Sequence, residues 1–184
     1  TRKRSIEKAD INKLRAVQVK PGSFVQLVRD VFLFCFYACG MPFVDVAFLK
    51  KSQIKGGILV YHRRKTDQVV QIKLEPCMQE IINRYRSDGS DYVFPFLTSQ
   101  DEDTAYREYK RKFSYYNKTL KTLGKAGGGR QAALFVRGAP HLGYAGFHVL
   151  GGHGCHSAGA RTYRCKDYPD LCGGYRERKA EFCQ

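Results

Sequence analysis

Apolar side chains recur with a helical or a strand period from Ser23 to about Gly124, and beyond that point neither period survives. From Lys125 onward, twelve of the eighteen glycines, four of the five histidines and four of the seven cysteines fall within sixty residues. A stretch with so few aliphatic side chains cannot offset the entropy of ordering its backbone, so poor order is expected there. The break therefore predicts one domain over residues 1–124 and a tail over 125–184 that does not share its core.

Within the first part the pattern is mainly α with a small antiparallel β-hairpin or sheet. Ser23 can cap a helix whose apolar positions Phe24, Leu27, Val28, Val31, Phe32 and Cys35 follow the 3.6-residue period, ending at Gly40 and Pro42. That helix should be central and buried. A short turn of helix from Phe43 to Leu49 precedes two β-rich runs, Gly57 to Arg63 and Val69 to Leu74, joined by Lys65-Thr66-Asp67-Gln68 as a hairpin. Pro76 suits the first turn of another helix with Met78, Ile81, Ile82 and Tyr85 on its inner stripe. Asp101, Glu102 and Asp103 open a longer one, with Tyr106, Tyr109, Phe113, Tyr116, Leu120 and Leu123 spaced by threes and fours and Lys118, Lys121 and Gly124 at its close.

Charge narrows the partner. Thirty-two Lys and Arg against seventeen Asp and Glu leave +15, which favours an anionic polymer because each neutralised phosphate releases counterions. Double-stranded DNA is the expected partner, with a homo-oligomer on DNA as a further possibility and no membrane. No window approaches eighteen consecutive apolar residues, and Thr1-Arg2-Lys3-Arg4 is not followed by an apolar signal core, so a cytoplasmic chain is expected. Seven cysteines without a C-x-x-C pair suit reduced thiols. The cluster Gly127-Gly128-Gly129 lacks the strand-to-helix setting of a phosphate cradle, and no nucleotide cofactor is implied.

The run Phe34-Cys35-Phe36-Tyr37-Ala38-Cys39-Gly40-Met41-Pro42-Phe43-Val44-Asp45-Val46-Ala47, followed by the hairpin Tyr61-His62-Arg63-Arg64-Lys65-Thr66, resembles the catalytic domain of the tyrosine recombinase (phage integrase) family, and within it the integrases of conjugative transposons. The likeness covers residues 1 to about 124 in order: helix, glycine turn with acid, lysine hairpin, proline-started helix, long tyrosine-rich helix. It implies site-specific DNA recombination, in which a tyrosine hydroxyl attacks a phosphodiester and forms a 3′-phosphotyrosine bond without metal or nucleotide. Two arginines clamp the non-bridging oxygens while a hairpin lysine protonates the leaving 5′-oxygen.

By this resemblance Lys65 matches the hairpin lysine and is the candidate catalytic residue. Without it, Lys65 is equally an exposed lysine at a strand end. Asp45 matches the acid that braces the arginine pair from behind, although an ordinary acid at a helix start would look the same. The family spacing G-x-R-x-x-E puts the first arginine where this chain has Pro42, and neither Cys39 nor Met41 replaces it. Arg63, Arg64, Lys50, Lys51 and Lys55 are the candidate phosphate contacts.

The remaining family motifs, R-H-x-W-A, then L-G-H, then I-Y, are absent, yet all three can be read one base out of frame. Gly138 to Gly146 can be encoded so that the shifted frame gives A-R-H-T-W-A-T-L, Ala158 to Tyr163 so that it gives L-G-H-E-H-I, and Lys166 to Phe182 so that it includes T-Q-I-Y-V. A frameshifted tail would lack the nucleophile and both arginines, so cleavage is expected to be lost and not merely slowed. Tyr163, Tyr168 and Tyr175 sit in no matching motif. Two alternatives stay open: a non-catalytic basic DNA-binding fragment, and a zinc-binding tail using His153, Cys155, His156, Cys165, Cys172 and Cys183, whose intervals do not form two facing pairs.

Overall fold

A computed structural model describes residues 8–127 and 161–163 of the chain, with the side chains of 11–127. It is a mixed assembly of helices with a small sheet whose first three strands are antiparallel. In chain order the elements are α1 (Lys8–Ala16), α2 (Phe24–Tyr37), α3 (Phe43–Ala47), a single 3-10 turn (Lys51–Gln53), β1 (Ile54–Lys55), β2 (Ile58–His62), β3 (Val69–Lys73), α4 (Pro76–Tyr85), α5 (Glu102–Ala126) and β4 (Arg161–Tyr163).

α2 is the hub. Its N-terminus is closed by Ser23, whose hydroxyl accepts the Gln26 N–H at 3.2 Å, and nine of its residues are buried. An apolar stripe this broad marks a helix enclosed by neighbours, and α1, α3, α4 and α5 all pack against it. The helix exits through two consecutive left-handed residues, Cys39 (φ 55°) and Gly40 (φ 81°), which swing the chain into Pro42 and α3.

One buried residue of α2 is not apolar. Asp30, 2% exposed, accepts Nε of Arg29 at 3.0 Å, a guanidinium nitrogen of Arg84 and the hydroxyl of Tyr85 at 2.9 Å. Arg29 also donates to the Val17 carbonyl at 2.9 Å, so a single carboxylate ties α2 to α4 and to the end of α1. Burial and the neighbouring Asp30 charge push the Tyr85 hydroxyl well above its ordinary pKa, which keeps it a donor.

The hairpin is antiparallel, with Leu59 opposite Ile72 and Tyr61 opposite Val70. These four side chains turn inward, while Ile58, Val60 and His62 alternate outward. Two further strands lie at the sheet's margins. β1 pairs with the start of β2 through Ile54–Leu59 and Lys55–Ile58, and Gly56 and Gly57, both at positive φ, make that reversal. β4 lies parallel to β3 with Gln71 opposite Thr162. The loss of period after Lys125 gave no expectation of a strand there; Arg161-Thr162-Tyr163 supplies two β-favouring residues to an edge with free backbone groups.

Two differences bear on the core. The inner stripe expected for α5 includes Tyr106, but Tyr106 is 45% exposed while Tyr116, Leu120 and Leu123 are buried. Ala105, one residue earlier, is 1% exposed and belongs to the core, so Tyr106 is turned off the buried face of the helix and stacks on Tyr109 at 6.0 Å. The run Tyr92-Val93-Phe94-Pro95-Phe96-Leu97 forms no regular element yet supplies five buried side chains. Its backbone is pinned by Val93 N–H to the Leu49 carbonyl and by Lys51 N–H to the Asp91 carbonyl, both 2.9 Å. Among the described residues no helix is long and apolar enough to cross a membrane.

Candidate nucleic-acid interface

The tip of the β2–β3 hairpin is built by its own backbone. Arg63 N–H donates to the Gln68 carbonyl at 2.9 Å, and the Arg63 carbonyl accepts from Thr66 and Asp67 at 3.2 and 2.7 Å. The reversal thus begins at Arg63, two residues before the expected Lys65, and closes with Asp67 in the left-handed region at φ 51°. Lys65 stands exposed on the tip, next to exposed Arg64 and half-buried Arg63. His62 and Asp67 face each other across the tip at 3.3 Å.

Asp45 anchors this tip to the helices. It lies in the first turn of α3 at 4% exposure, and its Oδ1 accepts the backbone N–H of Arg64 at 3.1 Å. Residues nineteen apart in sequence are thereby joined directly. Its other oxygen, Oδ2, is buried and has no hydrogen-bond partner among the described residues. Burial raises the Asp45 pKa above the ordinary carboxylate range; the Arg64 N–H and the charges of Arg63 and Arg64 oppose that shift without cancelling it. The same carboxyl, after burial itself, helps to hold the Cys35 thiol far above its usual pKa, so Cys35 is an inert core group.

Because folded Asp45 holds its proton more tightly than the unfolded chain does, its contribution to stability is full below the ordinary value of 3.8 and declines as pH rises through the elevated folded value. Asp45→Asn keeps an acceptor for the Arg64 N–H and cannot ionise. Urea midpoints measured between about pH 4 and pH 7 should therefore fall more steeply with rising pH in the unmodified chain than in Asp45→Asn.

The cations expected to meet phosphate divide into two groups. Arg63, Arg64 and Lys65 share the hairpin tip. Lys55 and Lys51 lie toward the other end of the sheet: Lys55 pairs with Ile58 while the tip begins after His62, about 13 Å further along β2, and Lys51 lines a pocket with Gly57 and Leu74; Lys50 adjoins Lys51 in sequence. Within the second group Lys50 and Lys55 are exposed, whereas the Lys51 ammonium donates to the carbonyls of Ser87 and Ser90 and secures the loop after α4. Arg64 is also engaged: its guanidinium lies 3.9 Å from the centre of the Phe48 ring and pairs with Glu102 at 3.0 Å. That ion pair is exposed and worth about 0–1 kcal/mol, so a phosphate could displace it at little cost. Arg63 and Lys65 are the tip cations with no such engagement described.

Among the described residues no three His, Cys, Asp or Glu side chains cluster as metal ligands. The proposed zinc set and the three out-of-frame motifs, apart from the backbone of Arg161–Tyr163, lie outside the described residues. No family model, curated protein or solved structure matches the chain.

Proposed function

We propose that residues 1–124 are the N-terminal portion of a tyrosine-recombinase-like catalytic domain, and that this chain grips duplex DNA through the hairpin tip without cutting it. The observation that carries this reading is the link between Asp45 and the Arg64 N–H. It fixes a lysine-bearing hairpin against the glycine turn that follows the central helix, and it supports the assignment of Lys65 to the scissile-phosphate side. A long, flexible ammonium on a two-stranded ribbon can reach a phosphate through a groove, with Arg63 beside it to add Coulombic attraction.

Catalytic silence follows from what stands at the other positions. Pro42 occupies the place of the first arginine and has no group that could clamp a phosphate oxygen. The second arginine motif, the histidine motif and the nucleophile motif are absent from the chain as translated, and codons can be chosen for 138–182 that spell all three one base out of frame, in family order. The DNA sequence encoding 125–184 tests the frame directly: codons that do not spell the shifted motifs would end that part of the reading. DNA binding and chemistry are separated by incubating the protein with a library of nicked suicide duplexes. The expected outcome is a salt-sensitive gel shift with no protein–DNA adduct surviving denaturation. A surviving adduct would overturn the silence, and no shift at low salt would overturn the DNA reading.

A further inference from the structure

Another cationic surface lies on α5. Between Tyr109 and Gly127 there are six cations, Lys110, Arg111, Lys112, Lys118, Lys121 and Lys125, and no acid. Lys112 is half-buried over the Phe24 ring; the other five are exposed. At 100° per residue those five fall within about 100° of arc, opposite the side that buries Tyr116, Leu120 and Leu123. Lys110 and Lys125 are fifteen residues apart, so the row is about 22 Å long.

Among the described residues no ion pair consumes this charge, although Glu108 interacts electrostatically with Arg111. Glu108, the nearest acid on the helix, is held by the hydroxyl and N–H of Thr98. Lys110 lies over the exposed Tyr106 ring at 4.6 Å, which orients it without neutralising it. Tyr115, 58% exposed, stands at the rim of the row next to Arg111 and Lys118. A helix that lies in a lipid surface needs a free apolar face, and that of α5 is spent on the core. A line of exposed cationic groups with no acid among them matches a run of phosphates on one strand of a polyanion.

We propose that the outward face of α5, formed by Lys110, Arg111, Lys118, Lys121 and Lys125, is a second phosphate-binding surface that lies along a duplex DNA backbone, apart from the hairpin tip. It shares the DNA partner of the reading above, but not its residues. The test compares two variants of the full chain, K110Q/R111Q/K118Q/K121Q/K125Q and R63Q/K65Q, by fluorescence anisotropy on a labelled duplex of random sequence between about 50 and 200 mM salt. Glutamine keeps helix propensity, and retained helical dichroism checks the fold. If the dichroism falls, K118Q/K121Q/K125Q replaces the larger variant.

The five-residue variant should lose about four from the slope of log affinity against log salt, the three-residue variant about three, and R63Q/K65Q about two. Binding by the five-residue variant should weaken at least about tenfold at the lower salt. An unchanged slope in the α5 variant beside a reduced one in R63Q/K65Q overturns the α5 surface and leaves the hairpin reading standing. The reverse pattern supports α5 and overturns the hairpin reading. An unmodified chain that binds vesicles rich in anionic phospholipid more tightly than duplex DNA overturns the nucleic-acid assignment of both surfaces.

Discussion

Phe43→Ala is expected to cost about 4 kcal/mol, read as a drop in the urea midpoint with an unchanged slope. Phe43 begins α3 and is 2% exposed. Its ring stacks on Tyr116 at 4.0 Å, meets Phe96 edge-on at 5.0 Å, and lies within 5.8 and 6.1 Å of Phe113 and Tyr109. Offset and edge-to-face pairs add to the burial of the ring itself, and truncation leaves a cavity that four surrounding aromatic rings cannot easily fill. Asp45 follows two residues later in the same five-residue helix, so the loss should also loosen the hairpin anchor. Amide exchange of the Arg64 N–H should accelerate more than exchange in the middle of β2; equal acceleration at both sites would refute that link.

Asp30→Ala should cost about 3 kcal/mol by the same measurement. The substitution leaves Arg29, whose side chain is 14% exposed, without its carboxylate, and the Tyr85 hydroxyl loses its acceptor. Arg84, 34% exposed, can turn to water, so most of the cost is expected at Arg29 and Tyr85. Replacing Arg84 alone by Met should therefore be much milder than Asp30→Ala. A comparable cost for the two would show that the bond between α2 and α4, and not the buried carboxylate, carries the energy.

Much of this architecture was written in spacing. The apolar periods of α2 and of the C-terminal two-thirds of α5, Pro76 at the start of α4 and the two β-rich runs all became the expected elements. What escaped depends on distant partners. Asp30 interrupts the apolar face of α2, and its partners Arg84 and Tyr85 lie more than fifty residues away. Ile11 and Leu14 are buried, but two apolar residues in a polar stretch do not define a period. Tyr92 to Leu97 is held by backbone bonds to Leu49 and Lys51, which no local pattern announces.

The candidate site was legible only in outline. Lys65 stands exposed where a hairpin lysine was expected, and Asp45 is buried at the start of α3. That Asp45 would hold the tip through the main chain, and that Arg64 would lie across Phe48, required the packed fold. The α5 row did carry a sequence signal: a long helical stretch rich in cations and free of acids. Attention to the apolar side of a helix hides that kind of pattern.

The Asp45 anchor binds an amide hydrogen that every residue but one possesses. Position 64 can therefore drift among many residue types, exchanging arginine for shorter or neutral groups and retuning the tip's charge, while the ribbon keeps its seat. Proline alone is barred, because it brings no hydrogen for the carboxylate to hold. Chemical identity at the tip and mechanical attachment of the tip are in this way independent, which leaves the ribbon free to change what it touches without coming loose.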